Sequence, residues 1–208
     1  MIKFKICGLR DPDNIRVVTD LGPDYMGFIF WSKSSRFVNT ATPTLPNSIK
    51  KTGVFVDESS SVILNQIKKH KLNALQLHGS ETPKMCQVLK EAGSEVIKAF
   101  SVGVSFDFKK LEPYLFSCDF FLFDTKGLLP GGNGYSFDWS ILANYPYEKP
   151  FFLSGGIGLD DLNALKVIIK EKLPLYAIDV NSKFEIAPGY KDLQKLKEFK
   201  TQWDELQR

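Results

Sequence analysis

What most restricts the fold of this chain is a regular alternation of short apolar runs with helix-patterned segments. Runs at 2–7, 25–30, 52–56, 74–78, 95–100, 119–124, 150–153 and 175–180 read as strands. Between and after them, segments at 13–21, 59–70, 82–92, 106–114, 159–169 and 190–203 carry apolar residues at helical spacing, the one at 106–114 weakly. Parallel strands joined through helices take right-handed crossovers. A count of eight argues for closure into an α/β, parallel eight-stranded (β/α)8 TIM barrel; an open doubly wound sheet is the alternative, but it normally needs fewer strands. No Gly/Ser/Pro linker interrupts residues 1–208, so the reading is a single domain. The chain is short for such a barrel, so its helices must be short and one is missing. The candidate gap is 39–50, where Pro43 and Pro46 break the pattern.

In a barrel of this kind the C-terminal ends of the strands share one mouth. Here those ends are polar: Cys7, His78, Asp124, Ser154 with Gly155 and Gly156, and Asp179. Singly each reads as a turn or cap residue, and most free cysteines are small buried hydrophobes; on one rim they read as a site. LSGGIGLDDL after the seventh strand offers two glycines and then a helix start with outward amides, a cradle for phosphate. Asn181 and Ser182 add donors next door, and Lys183 adds charge.

Cys7 and Asp124 suggest an acid–base pair across a small substrate. A thiol with an ordinary pKa of about 8.5 needs lowering to act as a base, and the helix start at 11–14 is expected to supply it. Asp124, closing an apolar strand, is expected to keep enough proton to act as the acid. Lys5 shares the face of Cys7 and needs a buried carboxylate; Asp179, on the closing strand, is the expected partner.

Other classes fit poorly. Three scattered cysteines without a C-x-x-C pair, and an N-terminus lacking an apolar leader, point to a reduced, cytoplasmic protein. No apolar run approaches the ~18 residues of a membrane span. The net charge of +3 is mild and its lysines fall mostly on helices, which disfavours nucleic acid as a partner. Two histidines and no carboxylate cluster leave no metal site in view.

KICGLRD, GFIF followed by SKSSRF, GVFV, LNALQLHG, IKAF, FLFDTK, GGNGYSFDW, LSGGI, and AIDVNSKFE with APGYKD occur in order. In that order and spacing the chain resembles the phosphoribosylanthranilate isomerase family of tryptophan biosynthesis, from residue 2 to about 199. The resemblance implies a cofactor-free Amadori rearrangement of a phosphosugar, with Asp124 as general acid and Cys7 as general base. It further implies that Arg36 receives the anthranilate carboxylate, that His78 contacts substrate, and that Gly155, Gly156, Asn181 and Ser182 hold the phosphate, with Asp179 also in the substrate site. The glycines at 131–134 would close over it. Two departures stand out: Asn181-Ser182-Lys183 where many members have a serine pair and glycine, and Trp31 where a smaller aromatic is common.

Two other readings fit less well. The histidine-pathway isomerase uses two aspartates and two phosphate loops, whereas the first strand here ends in cysteine. A non-catalytic phosphosugar binder would be expected to have lost the thiol or the acid. Monomer and homodimer both remain open.

Overall fold

In the computed structural model, which describes residues 1–125 and 138–208, eight parallel strands close into a barrel in sequence order. They are β1 (Lys3–Ile6), β2 (Tyr25–Ile29), β3 (Lys50–Phe55), β4 (Ala74–Leu77), β5 (Glu95–Val102), β6 (Phe120–Thr125), β7 (Phe151–Leu153) and β8 (Leu175–Val180). The seam runs between β1 and β8, where Lys5 registers with Asp179 and the Cys7 amide donates to the Val180 carbonyl at 2.9 Å.

Period-two alternation sorts the side chains. Phe4, Ile6, Met26, Phe28, Leu75 and Leu77 face outward into the main core beneath the helices. Tyr25, Ile97, Leu122, Phe152 and Ala177 fill the lower barrel as a second cluster. A register shift between β7 and β8 sets Leu175 opposite Phe151 and Ala177 opposite Phe152. The extra residue, Tyr176, packs against the inner cluster beside Ala177. Above this apolar floor the inward positions become polar.

The outer layer comprises α1 (Pro12–Thr19), α2 (Ser60–His70), α3 (Pro83–Glu91), α4 (Leu162–Lys170) and α5 (Leu193–Leu206). Asp11, Ser59, Thr82 and Asp192 cap four of these with side-chain oxygens, and Pro12 and Pro83 occupy first-turn positions where no amide is needed. Between β2 and β3 no helix forms, as the prolines predict. Lys51 fastens that segment instead, donating to the Pro43 and His70 carbonyls and to Thr42 Oγ1.

After β5 the weakly patterned segment is a 3₁₀ turn, Phe108–Tyr114, carrying Pro113. Another, Trp139–Asn144, precedes β7. The expected helix at 159–169 begins as a 3₁₀ turn, Leu159–Asp161, before α4. The last helix starts at Leu193, because 185–191 fold into a small hairpin, β9 (Glu185–Ala187) with β10 (Tyr190–Lys191), turned at Pro188-Gly189.

Candidate active site

Nine residues assigned to the site from sequence line one cavity of about 270 Å³ at the C-terminal mouth: Cys7, Arg36, His78, Asp124, Gly155, Gly156, Asp179, Asn181 and Ser182. Trp31 lines it too. Lys183 does not; it is exposed, with its stem beside Gly158. The glycines at 131–134 lie outside the described residues.

Cys7 ends β1 with its side chain buried. Gly27 on β2 makes room for it, since a Cβ there would stand 2.6 Å from the Cys7 sulfur. Burial pushes the thiol pKa up, the neighbouring charge of Lys5 and more weakly that of Lys191 pull it down, and Asp179 pushes it up; the net shift is upward. This corrects the expectation that the α1 start would lower it. The Asp11 carboxylate occupies that helix end, accepting from the Asn14 amide at 2.8 Å, so the favourable charges near the sulfur are the two lysines.

Lys5 donates to Asp179 Oδ2 at 2.6 Å and to Gln76 Oε1 at 2.7 Å, so the expected partner is in place. Burial penalises both charges of the pair. For Lys5 it is outweighed by Asp179 and Cys7, and the ammonium is favoured; for Asp179 burial outweighs the pull of Lys5, and the carboxyl sits above the ordinary range.

Asp124 hangs inward from β6, with Oδ1 accepting from the Thr125 amide at 2.9 Å. Its Oδ2 lies 3.2 Å from His78 Nε2, out of line for a hydrogen bond. Gly155, at φ +93°, passes so close that a Cβ would stand 2.9 Å from Asp124 Oδ1 and run into Thr125. Gly156 is also left-handed at φ +71°. Among the described residues neither glycine amide has a protein acceptor, which leaves both for an anion. The following helix start is less open than its sequence implies, because Asp161 accepts the Gly158 amide at 2.7 Å.

Arg36 is held by Glu185, which sequence reasoning missed. Nε donates to both carboxylate oxygens at 2.9 and 3.0 Å, and Nη2 donates to Oε2 at 2.6 Å. That engages the Nε edge of the guanidinium, and Nη1 has no protein partner among the described residues, so the terminal edge remains for a ligand carboxylate. Lys191, also missed, joins the same group: its ammonium donates to Glu185 Oε1 at 2.8 Å and to Asn181 Oδ1 at 2.7 Å. Burial and Arg36 lower its pKa, while Glu185 and Cys7 oppose them. Gly8, at φ +75°, lets Arg36 and Asn181 close over the turn, since a Cβ would stand 2.8 Å from Arg36 Cδ.

The remaining cysteines stay out of this chemistry; burial pushes Cys86 up to about 11 and Cys118 up to about 12. Among the described residues no group of three or more His, Cys, Asp and Glu side chains is placed to hold a metal ion.

Comparison with known proteins places the chain. The family model for N-(5'-phosphoribosyl)anthranilate isomerase matches residues 4–202. The N-(5'-phosphoribosyl)anthranilate isomerase of Parabacteroides distasonis is 44% identical over 203 residues, covering 94% of this chain and 90% of its own length. The crystal structure of the Thermotoga maritima enzyme superposes with a TM-score of 0.83 at 32% identity, over 99% of this chain and all (100%) of that one. A phosphoribosyl anthranilate isomerase in complex with reduced 1-(o-carboxyphenylamino)-1-deoxyribulose 5-phosphate superposes with 0.81 at 30% identity, over the same shares, 99% and 100%. By sequence across nearly its whole length, and by a closed eight-stranded barrel, this chain belongs to the N-(5'-phosphoribosyl)anthranilate isomerase family.

Proposed function

We propose that Cys7 and Asp124 are the base and the acid with which this isomerase converts N-(5-phosphoribosyl)anthranilate into 1-(2-carboxyphenylamino)-1-deoxyribulose 5-phosphate, a step of tryptophan biosynthesis. The observation that carries the assignment is one cavity lined by a buried thiol at the end of β1, a buried carboxylate on β6 and two glycines whose amides have no acceptor among the described residues.

The protein supplies a proton at one end of the sugar and takes one at its middle. Asp124 protonates the ribose ring oxygen, and the furanose opens to a protonated Schiff base. Cys7, as thiolate, removes the proton from C2′, and the resulting enolamine tautomerises to the ketone. The iminium beside C2′ is the electron sink, so a modest base suffices. Its positive charge also joins those of Lys5 and Lys191 in favouring the thiolate against the burial that opposes it.

Phosphate binds at the amides of Gly155 and Gly156, with Asn181 and Ser182 adjoining. The anthranilate carboxylate meets the open edge of Arg36, and its ring packs near Trp31. His78 and Asp179 contact the sugar. No cofactor enters the scheme. The three cysteines are free and buried, which supports a reducing cytoplasmic setting, and no helix among the described residues is long and apolar enough to cross a membrane.

The test follows the loss of anthranilate fluorescence when freshly generated substrate meets wild type, Cys7→Ser and Asp124→Asn. Both variants should slow by ~10² or more while still binding a product analogue. Full activity in either variant, or a folded but inert wild type, would overturn the assignment.

A further inference from the structure

Between Cys7's neighbour Lys5 and Asp124 runs a file of side chains whose direction is fixed by donor and acceptor counts. A lysine ammonium has donors and no acceptor, so the Gln76 atom 2.7 Å from Lys5 Nζ must be the amide oxygen. That places the amide nitrogen toward His78, 3.1 Å from Nδ1. An amide nitrogen only donates, so Nδ1 must accept. A neutral ring accepting at Nδ1 carries its proton at Nε2, the atom 3.2 Å from Asp124 Oδ2 and without a hydrogen-bond partner among the described residues.

We propose that Gln76 is a positioning residue that fixes His78 as the Nε2–H tautomer, so that the ring presents an N–H to the carboxylate of Asp124. The consequence for that carboxylate is directional. An Nε2 that already bears a proton cannot take one from Asp124, so the acid proton is left for the substrate. Once it has gone, the carboxylate keeps the Thr125 amide at Oδ1, and the imidazole N–H, 3.2 Å from Oδ2, comes into line with a small turn of the ring. The opposite tautomer would set a lone pair against the carboxylate and offer the proton a competing acceptor. Lys5 thus serves both partners: its charge favours the Cys7 thiolate, and one of its N–H bonds sets the amide that sets the ring.

The kinetic consequence rests on the assignment of Asp124 as acid; the tautomer does not, and the experiment separates the two. The chain has two histidines, so nitrogen-detected NMR of ring-labelled protein shows two imidazoles, with His78→Asn identifying which is which. At mildly alkaline pH the wild-type His78 ring should show a protonated Nε2 and a bare Nδ1. A wild-type ring protonated at Nδ1 alone overturns the proposal and needs no variant to fold. Gln76→Glu keeps the shape but turns the donor facing Nδ1 into an acceptor, so Nδ1 should become protonated. Gln76→Met, which only removes the amide, should leave a mixture. Both variants should lose ~10-fold or more in kcat with KM changed by less than about threefold. A changed tautomer with unchanged kcat would refute the kinetic role while leaving the tautomer assignment intact. Full activity in Asp124→Asn would sink the acid and leave the wild-type NMR result standing.

Discussion

Gly155→Ala tests whether the close approach of the β7 loop is what holds Asp124 in place, and the fold supplies its own control. Gly155 and Gly93 share nearly the same positive φ, +93° and +90°. An added Cβ at Gly93 meets nothing within 4 Å, whereas at Gly155 it lands on Thr125 and 2.9 Å from Asp124 Oδ1. Forcing alanine into a left-handed conformation costs about 1–2 kcal/mol, and the stiffer unfolded chain returns about 0.4–1 kcal/mol. Gly93→Ala should therefore lose no more than about 1.6 kcal/mol and keep full activity. Gly155→Ala adds an overpacking cost of about 1–3 kcal/mol, for a total of about 1–4.6 kcal/mol, or roughly 2–18 °C in Tm for a chain of this size. Backbone atoms of the barrel wall cannot retreat, so the carboxylate gives way, and a displacement near 1 Å costs on the order of 10² in kcat. Urea titration and the fluorescence assay measure both. Equal stability losses in the two variants, with kcat of Gly155→Ala unchanged, would refute the reasoning.

Glu185→Gln should raise KM by ~10-fold with a smaller effect on kcat, because Arg36 loses the carboxylate that aims it. Burial raises the Glu185 pKa but Arg36 and Lys191 outweigh it, so the folded value lies below the ordinary one; its stabilisation is present above about pH 4.5, where the unfolded group ionises, and is lost as pH falls through the folded pKa. Acid titration of stability should thus be less steep below about pH 4.5 in the variant than in wild type. Lys5→Met leaves Asp179 buried without its cation and should cost about 3–5 kcal/mol in denaturant titrations, while Lys5→Met with Asp179→Leu should recover most of that loss. A double variant no more stable than the single would count against the pair.

Much of this architecture could be read from sequence because its signals are local. Short apolar runs, alternating in the first strand and nearly continuous in the sixth, located all eight barrel strands, and Pro43 and Pro46 marked the missing helix. Strand ends then brought the site together, since a parallel barrel leaves them nowhere else to point. Glu185 and Lys191 stayed hidden because they belong to strands of three and two residues, too short to carry a period, although Pro188-Gly189 marked the turn between them. Gln76 was within reach: it stands two residues before His78 and so on the same strand face. The environment of Cys7 was misread because a helix start looks positive until its capping carboxylate is placed. Which lysines reach the sulfur is a matter of long-range register.

The seam between β1 and β8 has a consequence for the order in which a growing chain becomes an enzyme. Lys5, Cys7 and Gly8 are synthesised well before Asp179, Asn181, Glu185 and Lys191, which surround them. Until β8 docks, β1 and β7 are open edges and Lys5 has no carboxylate across from it. The nascent barrel therefore holds its thiol in a half-built and solvated cleft, and the surroundings that suit it to one substrate arrive with closure itself. Docking of β8 and the onset of catalysis are in this sense a single event.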